Sequence, residues 1–254
     1  MIRKRLIVNA DDFGFTPDVN RGIAAAHRGG ILTATTLMAN GAAFDDAARL
    51  ARDMPSLDVG CHLVLISGRS LVPPYAPLPA SVPELLRALA ARRIRVYEEL
   101  AAQVRKILTA GIEPTHLDTH KHTHLAPPVL DAVARIAAEF KIRWVRRPFG
   151  IPLLRGRFHR VLASHGCRTT DHFAGFQMTG RFRAPELARL IRDLPEGLTE
   201  FMCHPGYCGD DLRRARTRLK DSRERELEAL LAPEVRAALV AAGVELVNYR
   251  TACA

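Results

Sequence analysis

Short runs of apolar residues alternate along the chain with longer stretches in which apolar positions recur every three or four residues. The short runs indicate β-strands and the longer stretches indicate amphipathic helices. We predict seven strands, at residues 5–12, 32–39, 58–65, 115–120, 143–147, 199–204 and 244–249. We predict helices between them at residues 17–28, 43–53, 96–110, 127–140, 184–193 and 221–242, with a break in the last at Pro233.

Strands that alternate with helices usually pair in parallel through right-handed crossovers. About seven such units predict an α/β fold, a single (β/α) barrel-like domain that is distorted and spans residues 1–254. The chain has no visible internal repeat and no linker that would divide it. Residues 67–83 carry five prolines and no periodicity, so we expect a functional loop there.

Polar residues follow several of the predicted strands at the point where each strand ends. Asp11 and Asp12 end the first, His62 lies in the third, and His120 and His204 end two later ones. In α/β barrels the carboxyl ends of the strands form the rim on which active sites are built. We therefore predict an active site at this rim.

The segment HLDTHKHTH has a histidine or aspartate at every second position, namely His116, Asp118, His120, His122 and His124. On a strand, alternate side chains share a face. A buried row of imidazoles with a carboxylate is costly unless it is hydrogen-bonded or holds a metal ion. We predict metal-binding or catalytic use of this segment. A solvated turn before the next helix is the alternative, and it suits the last two histidines best.

Two histidines and one carboxylate are a common ligand set for a catalytic divalent ion that keeps a position open for water. In the adjacent Asp11–Asp12 pair, one acid can bind the ion while the other transfers protons. His204, which precedes a Pro-Gly turn, could donate a proton to a leaving amine. Arg146 could hold Asp11 or the substrate, and a structural ion pair is an equal alternative.

The net charge of +10 comes mainly from arginine. Such a surface suits nucleic acid, an anionic membrane or simple solubility. Aromatic residues are only 6% and no nucleic-acid-binding motif is visible, so we expect no nucleic-acid partner. No apolar run approaches the roughly 20 residues of a membrane span. The five cysteines form no CxxC pair, and the N-terminal apolar run is too short for a signal peptide, so we expect a cytoplasmic protein.

Five segments together resemble the YdjC (ChbG-like) family of carbohydrate deacetylases. They are NADDFG at 9–14, GCHL at 60–63, THLDTHKHTH at 115–124, RRP at 146–148 and CHPG at 203–206. The resemblance implies a barrel-like deacetylase domain with one divalent metal ion. By position it implies Asp12, His62 and His120 as metal ligands and Asp11 as the general base. In the mechanism we predict, His204 protonates the departing sugar amine. Two imidazoles favour zinc, whereas magnesium would prefer more oxygen ligands.

Three further segments are similar to the hopanoid-biosynthesis-associated subgroup of that family, HpnK. They are FGFTPD at 13–18, TATTLM at 33–38 and RRPFG at 146–150. This similarity implies an N-acetylglucosaminyl hopanoid, a GlcNAc-containing membrane lipid, as the substrate. The side chains expected to bind it are Arg146, Asp118, His122 and His124.

A membrane-lipid substrate implies peripheral contact with the anionic inner membrane face, to which arginine-rich stretches such as residues 87–105 would be attracted. The proline-rich residues 71–83 would contact the lipid or cover the sugar pocket. A homodimer is left open. Three alternatives remain: a deacetylase of soluble chitooligosaccharides, a metal-dependent phosphoesterase on a similar barrel, and a non-enzymatic binding module. The last does not explain polar residues at four strand ends.

Overall fold

Eight strands form a sheet in which every pair of neighbours is parallel. The computed structural model describes residues 3–147 and 152–253. In chain order the strands are β1 (Lys4–Phe13), β2 (Ala34–Leu37), β3 (Asp58–Leu63), β4 (His116–Thr119), β5 (Trp144–Val145), β6 (His172–Ala174), β7 (Gly197–Cys203) and β8 (Val244–Leu246). All seven predicted strands are present. The sequence pattern missed β6, which has only three half-buried residues.

Helices lie between the strands. They are α1 (Pro17–Gly29), α2 (Phe44–Asp53), α3 (Val82–Ala90), α4 (Val96–Thr109), α5 (Pro127–Glu139), α6 (Pro152–Ser164), α7 (Ala184–Arg192), α8 (Asp210–Arg214), α9 (Asp221–Leu231) and α10 (Pro233–Ala241). Local chemistry explains several of the ends. Thr16 caps α1 by accepting from the backbone N–H of Val19. Pro233 starts α10 because it cannot continue α9. The pattern did not predict α3, α6 or α8.

The sheet has the order β5-β4-β3-β2-β1-β7-β6, and β8 pairs with the beginning of β1. Three strands separate β5 from β1 in this order. Nevertheless the guanidinium of Arg146, just after β5, lies 2.7 Å from Asp11 on β1 and 2.6 Å from Glu200 on β7. The sheet must therefore curl around its own interior, and the predicted α/β barrel-like fold is confirmed.

The segment after β4 departs from the predicted strand geometry. β4 ends at Thr119, and residues His120–Leu125 form a 3-10 turn. Lys121 and His122 have φ angles of 54° and 52°, in the left-handed region, so they break any alternation of faces. The expected common face therefore extends only to the residues of β4.

Close backbone packing fixes the loop that carries His204. A Cβ atom on Gly22 of α1 would lie 2.4 Å from the Cα of Gly206, so only glycine fits at this contact. Within the described ranges, no helix is both long enough and apolar enough to span a membrane.

Candidate active site

An irregularity at the end of β1 brings the two adjacent acids to the same cavity. Neighbouring residues of a regular strand point to opposite faces of the sheet. Here the register with β2 shifts between Ala10 and Phe13, and Asp12 has a φ of 70°. A bulge of this kind re-aims side chains. As a result Asp11 and Asp12 both line one cavity.

Asp12, His62 and His120 form a compact triangle of ligand atoms. Asp12 Oδ1 lies 3.3 Å from His62 Nε2 and 3.3 Å from His120 Nδ1, and the two ring nitrogens are 3.2 Å apart. A cation bound at about 2.1 Å requires separations of roughly 3.0 Å at octahedral and 3.4 Å at tetrahedral angles. Asp12 Oδ1 is buried and has no hydrogen-bond partner among the described residues. The three side chains fit a divalent ion.

A buried carboxylate behind His62 fixes the orientation of its ring. Asp118 Oδ1 lies 2.7 Å from His62 Nδ1, while Thr36 donates to Asp118 Oδ2 at 3.0 Å. This contact keeps a proton on Nδ1 and leaves Nε2 facing the cavity. Burial lowers the pKa of His62, but the carboxylate of Asp118 outweighs burial, so the pKa is raised to about 10. A cation would compete with the proton on Nε2.

Asp11 is held by a buried arginine. Nη2 and Nη1 of Arg146 each lie 2.7 Å from one oxygen of Asp11. The same guanidinium contacts Asp118 at 2.7 Å and Glu200 at 2.6 Å. Burial raises the pKa of Asp11, but the charge and hydrogen bonds of Arg146 outweigh it and hold this pKa well below its ordinary value. Asp11 is therefore ionised and rigidly oriented.

His204 lines the same cavity as Asp11 and lies close to it. Its Nε2 is 4.0 Å from Asp11 Oδ2, and its backbone N–H donates to Glu226 Oε2 at 2.6 Å. Burial lowers the pKa of His204 to about 4, although Asp11 acts in the opposite direction. The imidazole is therefore neutral at pH 7.

Two residues that contact the predicted site residues were missed by sequence reasoning, and both lie on α9. Arg223 donates to Asp12 Oδ2 at 2.5 Å, and Glu226 accepts the backbone N–H groups of His204 and Gly180, each at 2.6 Å. Burial raises the pKa of Glu226 to about 7. In the sequence these residues belong to a charged run. The only available signal was their i, i+3 spacing, which places them on one helix face.

The cavity has a volume of about 650 Å³, enough for more than one sugar unit. The polar groups described above lie beside apolar walls that include Phe15, Met38 and Met202. Three exposed cations, Lys121, Arg216 and Arg218, and the partly exposed ring of Phe176 also line it.

The predicted site residues divide into those that line the cavity and those that lie behind it. Six line it: Asp11, Asp12, His62, His120, His122 and His204. Asp118 and Arg146 support these from behind, through the contacts given above. His124 lies outside the cavity lining, where its Nδ1 is 2.6 Å from Thr119 Oγ1 and its ring packs near Phe158. Pro148, Phe149 and Gly150 of the RRPFG segment lie outside the described residues.

The proline-rich loop contributes to the cavity only at its beginning. Ser67 and Gly68 line the cavity. From Ser70 onward the loop, together with α3 and α4, encloses a second hollow of about 680 Å³. Glu99 of α4 anchors the loop through Ser70 and Leu71.

Fold and cavity together define an α/β barrel-like enzyme with its polar site at the carboxyl ends of parallel strands. The chain belongs to the YdjC-like family: it matches the family described as "YdjC-like protein" over residues 5–241. The resemblance inferred from the five segments is confirmed at the level of the family.

Relatives match along nearly the whole chain. A carbohydrate deacetylase from Geobacillus stearothermophilus is 37% identical over 248 residues, which cover 96% of each chain. A chitooligosaccharide deacetylase from Serratia marcescens is 33% identical over 266 residues, covering 98% of this chain and 99% of the relative. A solved structure from Enterococcus faecalis V583, of a proposed cellobiose-phosphate cleavage protein, superposes with a TM-score of 0.85 at 25% identity and covers 98% of both chains.

Proposed function

We propose that the protein is a metal-dependent hydrolase that removes the N-acetyl group from a GlcNAc-containing glycoconjugate. Its family and its full-length relatives make it a carbohydrate deacetylase, and the prediction of that activity is confirmed. One observation carries the metal-dependent chemistry. Three ligand atoms lie 3.2–3.3 Å from one another at the wall of a cavity that Asp11 and His204 also line.

The residues of the cavity divide the work of amide hydrolysis. A divalent cation held by Asp12, His62 and His120 would polarise the acetyl carbonyl and lower the pKa of water. Asp11 accepts a proton from the attacking water as the water oxygen bonds to the acetyl carbon. Arg146 keeps the Asp11 carboxylate ionised and fixed, so no reorientation is needed in the transition state.

The sugar nitrogen needs a proton when the carbon–nitrogen bond breaks, and His204 is placed to supply it. Nε2 of His204 and Oδ2 of Asp11 are 4.0 Å apart, so both groups face one amide. Because its pKa is about 4, the imidazole must gain a proton before it can donate one. Asp11 has just taken a proton from water and can pass it on, so the products are acetic acid and the free amine.

For the metal we propose zinc, since imidazole supplies two of the three ligand atoms. Metal-free protein should regain activity more completely with zinc than with magnesium. The measurement is the initial rate after chelation, dialysis and addition of each ion at matched free concentration. Full recovery with magnesium alone would reverse this choice of metal.

For the substrate we propose an N-acetylglucosaminyl hopanoid reached at an anionic membrane surface. The segments FGFTPD and TATTLM support this proposal, as do the exposed cations Lys121, Arg216 and Arg218 around the cavity. Each basic residue near an anionic leaflet contributes about 1 kcal/mol of attraction. A soluble chitooligosaccharide is the second candidate, favoured by the chitooligosaccharide deacetylase from Serratia marcescens.

The activity is tested by mass spectrometry for loss of one acetyl group from a panel of GlcNAc conjugates, with elemental analysis of the purified enzyme. His120→Ala should lose most of the bound metal and activity while keeping the fold. His165→Ala is the matched control, because the hydrogen bonds given for the His165 ring go to α6, to the carbonyl of Val161 and the hydroxyl of Ser164, and His165 does not line the cavity. Full metal occupancy in His120→Ala would reject the ligand assignment, and a fully active metal-free enzyme would reject metal dependence.

The lipid substrate is tested by co-sedimentation with anionic and neutral liposomes at low and high salt. We expect salt-sensitive binding to the anionic liposomes only, and weaker binding by a Lys121→Gln/Arg216→Gln/Arg218→Gln variant. Rates on lipid-linked and soluble GlcNAc substrates are measured in parallel. Absence of liposome binding together with faster turnover of soluble chitooligosaccharides would exclude the hopanoid and leave the deacetylase activity in place.

A further inference from the structure

Arg223 is a buried cation in the wall of the active-site cavity. Arg223 is only 1% exposed, although its helix, α9, begins with charged residues at the surface. Arginine is seldom buried this completely without a specific partner. Its known partner is Asp12, which it contacts at Oδ2, whereas His62 and His120 face Oδ1 of the same carboxylate. Arg223 therefore leaves one oxygen of Asp12 for the cation.

The ion pair leaves one unpaired polar atom on each partner. Among the residues that the structure describes, neither Asp12 Oδ1 nor Arg223 Nη1 has a hydrogen-bond partner, and both atoms are buried. The proposed cation accounts for Oδ1. No residue that the structure describes accepts a hydrogen bond from Nη1, and a buried guanidinium N–H without an acceptor is costly enough to require an explanation.

The surroundings of Arg223 hold the guanidinium in place without satisfying Nη1. Nε donates to the carbonyl of Leu219 at 3.3 Å, and the guanidinium carbon lies 5.9 Å from the centre of the Phe15 ring. The side chain lines the cavity together with Asp11 and His204, the residues proposed to act on the two sides of the amide. An acceptor for Nη1 can therefore come from a molecule bound in the cavity.

We propose that Arg223 is a substrate-binding residue, in which Nη2 fixes Asp12 and Nη1 donates a hydrogen bond to an oxygen of the N-acetylglucosamine unit. This inference rests on the proposed function and adds a residue to it. A charge-assisted hydrogen bond of this kind is lost completely when the donor is removed. An arginine that served only to hold Asp12 would be replaceable by lysine, since one ammonium group can pair with one carboxylate oxygen.

Arg223→Lys and Arg223→Met test the proposal, with Arg225→Met as the matched control on the same helix. Arg225 lines a separate cleft with Arg183 and Glu228. Zinc affinity of each metal-free protein is measured by calorimetry, and kcat/KM is measured on a GlcNAc oligomer. We expect Arg223→Lys to bind zinc within about threefold of the wild type and to lose roughly 10- to 100-fold in kcat/KM. Arg223→Met should lose at least as much, and Arg225→Met should match the wild type.

Three results would overturn the inference or its basis, and they can be told apart. A kcat/KM of Arg223→Lys within threefold of the wild type would contradict the proposed hydrogen bond from Arg223 to the substrate. Loss of zinc and of kcat/KM in the same proportion in both variants would reduce Arg223 to a support for Asp12. If the wild type itself bound no zinc, the choice of metal in the proposed function would fail, whereas kcat/KM on the GlcNAc oligomer would still decide whether Arg223 binds the substrate. Melting temperatures show whether each variant is folded. If Arg223→Met does not fold, the result for Arg223→Lys decides whether the proposal holds.

Discussion

The carboxylate of Asp118 offers a sharp test of how the site is supported, because it touches His62 without lining the cavity. Asp118→Asn keeps the shape of the side chain but removes its charge. In the wild type, the Asp118 carboxylate contacts His62 at 2.7 Å, Arg146 at 2.7 Å and Thr36 at 3.0 Å. An amide has only one acceptor oxygen, so its NH2 group must face one of these donors.

The expected loss follows from these contacts. Both side chains of the His62–Asp118 pair are buried, so solvent does not screen their interaction. Loss of a charge-assisted hydrogen bond costs roughly 1.5–3 kcal/mol. Carboxylates that hydrogen-bond a metal-binding histidine in this way contribute about 10- to 100-fold to metal affinity. The two ranges agree, because a tenfold change corresponds to about 1.4 kcal/mol. We expect zinc affinity to fall by about one to two orders of magnitude.

The assay is titration of the metal-free protein with zinc in competition with a chelator. Asp131→Asn is the matched control, since Asp131 pairs with Arg157 at the surface and both side chains are about half exposed. Thermal unfolding is recorded in parallel to show that Asp118→Asn is folded. The reasoning is refuted if a folded Asp118→Asn protein binds zinc within threefold of the wild type.

Three further outcomes are expected. Asp11→Asn should keep the metal and lose rate by about a hundredfold or more, whereas Asp12→Asn should lose the metal; the reverse pattern in elemental analysis would exchange the two roles. Arg146→Met should lower stability by about 3–5 kcal/mol in denaturant unfolding, because it leaves buried carboxylates without their cation; an unchanged midpoint would contradict this. Burial raises the pKa of Glu226 from 4.5 to about 7, so the free energy of unfolding should fall by up to about 3 kcal/mol as pH rises between about 5 and 7. Glu226→Gln should flatten that decline in a plot of Tm against pH, and a variant as steep as the wild type would count against it.

Much of the architecture can be predicted from local sequence patterns. The seven predicted strands and the break at Pro233 follow from apolar periodicity and from the chemistry of proline. The polar residues of the rim could also be found, because a histidine or an aspartate pair at the end of an apolar run is unusual. Parallel strands bring their carboxyl ends to one edge, so Asp12, His62 and His120 were expected to lie together before any distance was known.

Other features depend on how the sheet curls and cannot be predicted from local patterns. Residues 213–225 form a charged run, and most of its arginines lie at the surface. This pattern gives no sign that Arg223 is buried against Asp12, 211 positions away along the chain. For Arg146 the sequence suggested Asp11 as a partner, but it gave no sign of the other two carboxylates, Asp118 and Glu200. The short strand β6 and the left-handed turn after Thr119 also depend on neighbours distant in sequence. Hydrophobic periodicity reports which face of one element is buried, whereas the partners of a buried charge are set by how the elements meet, and that is determined only in the tertiary structure.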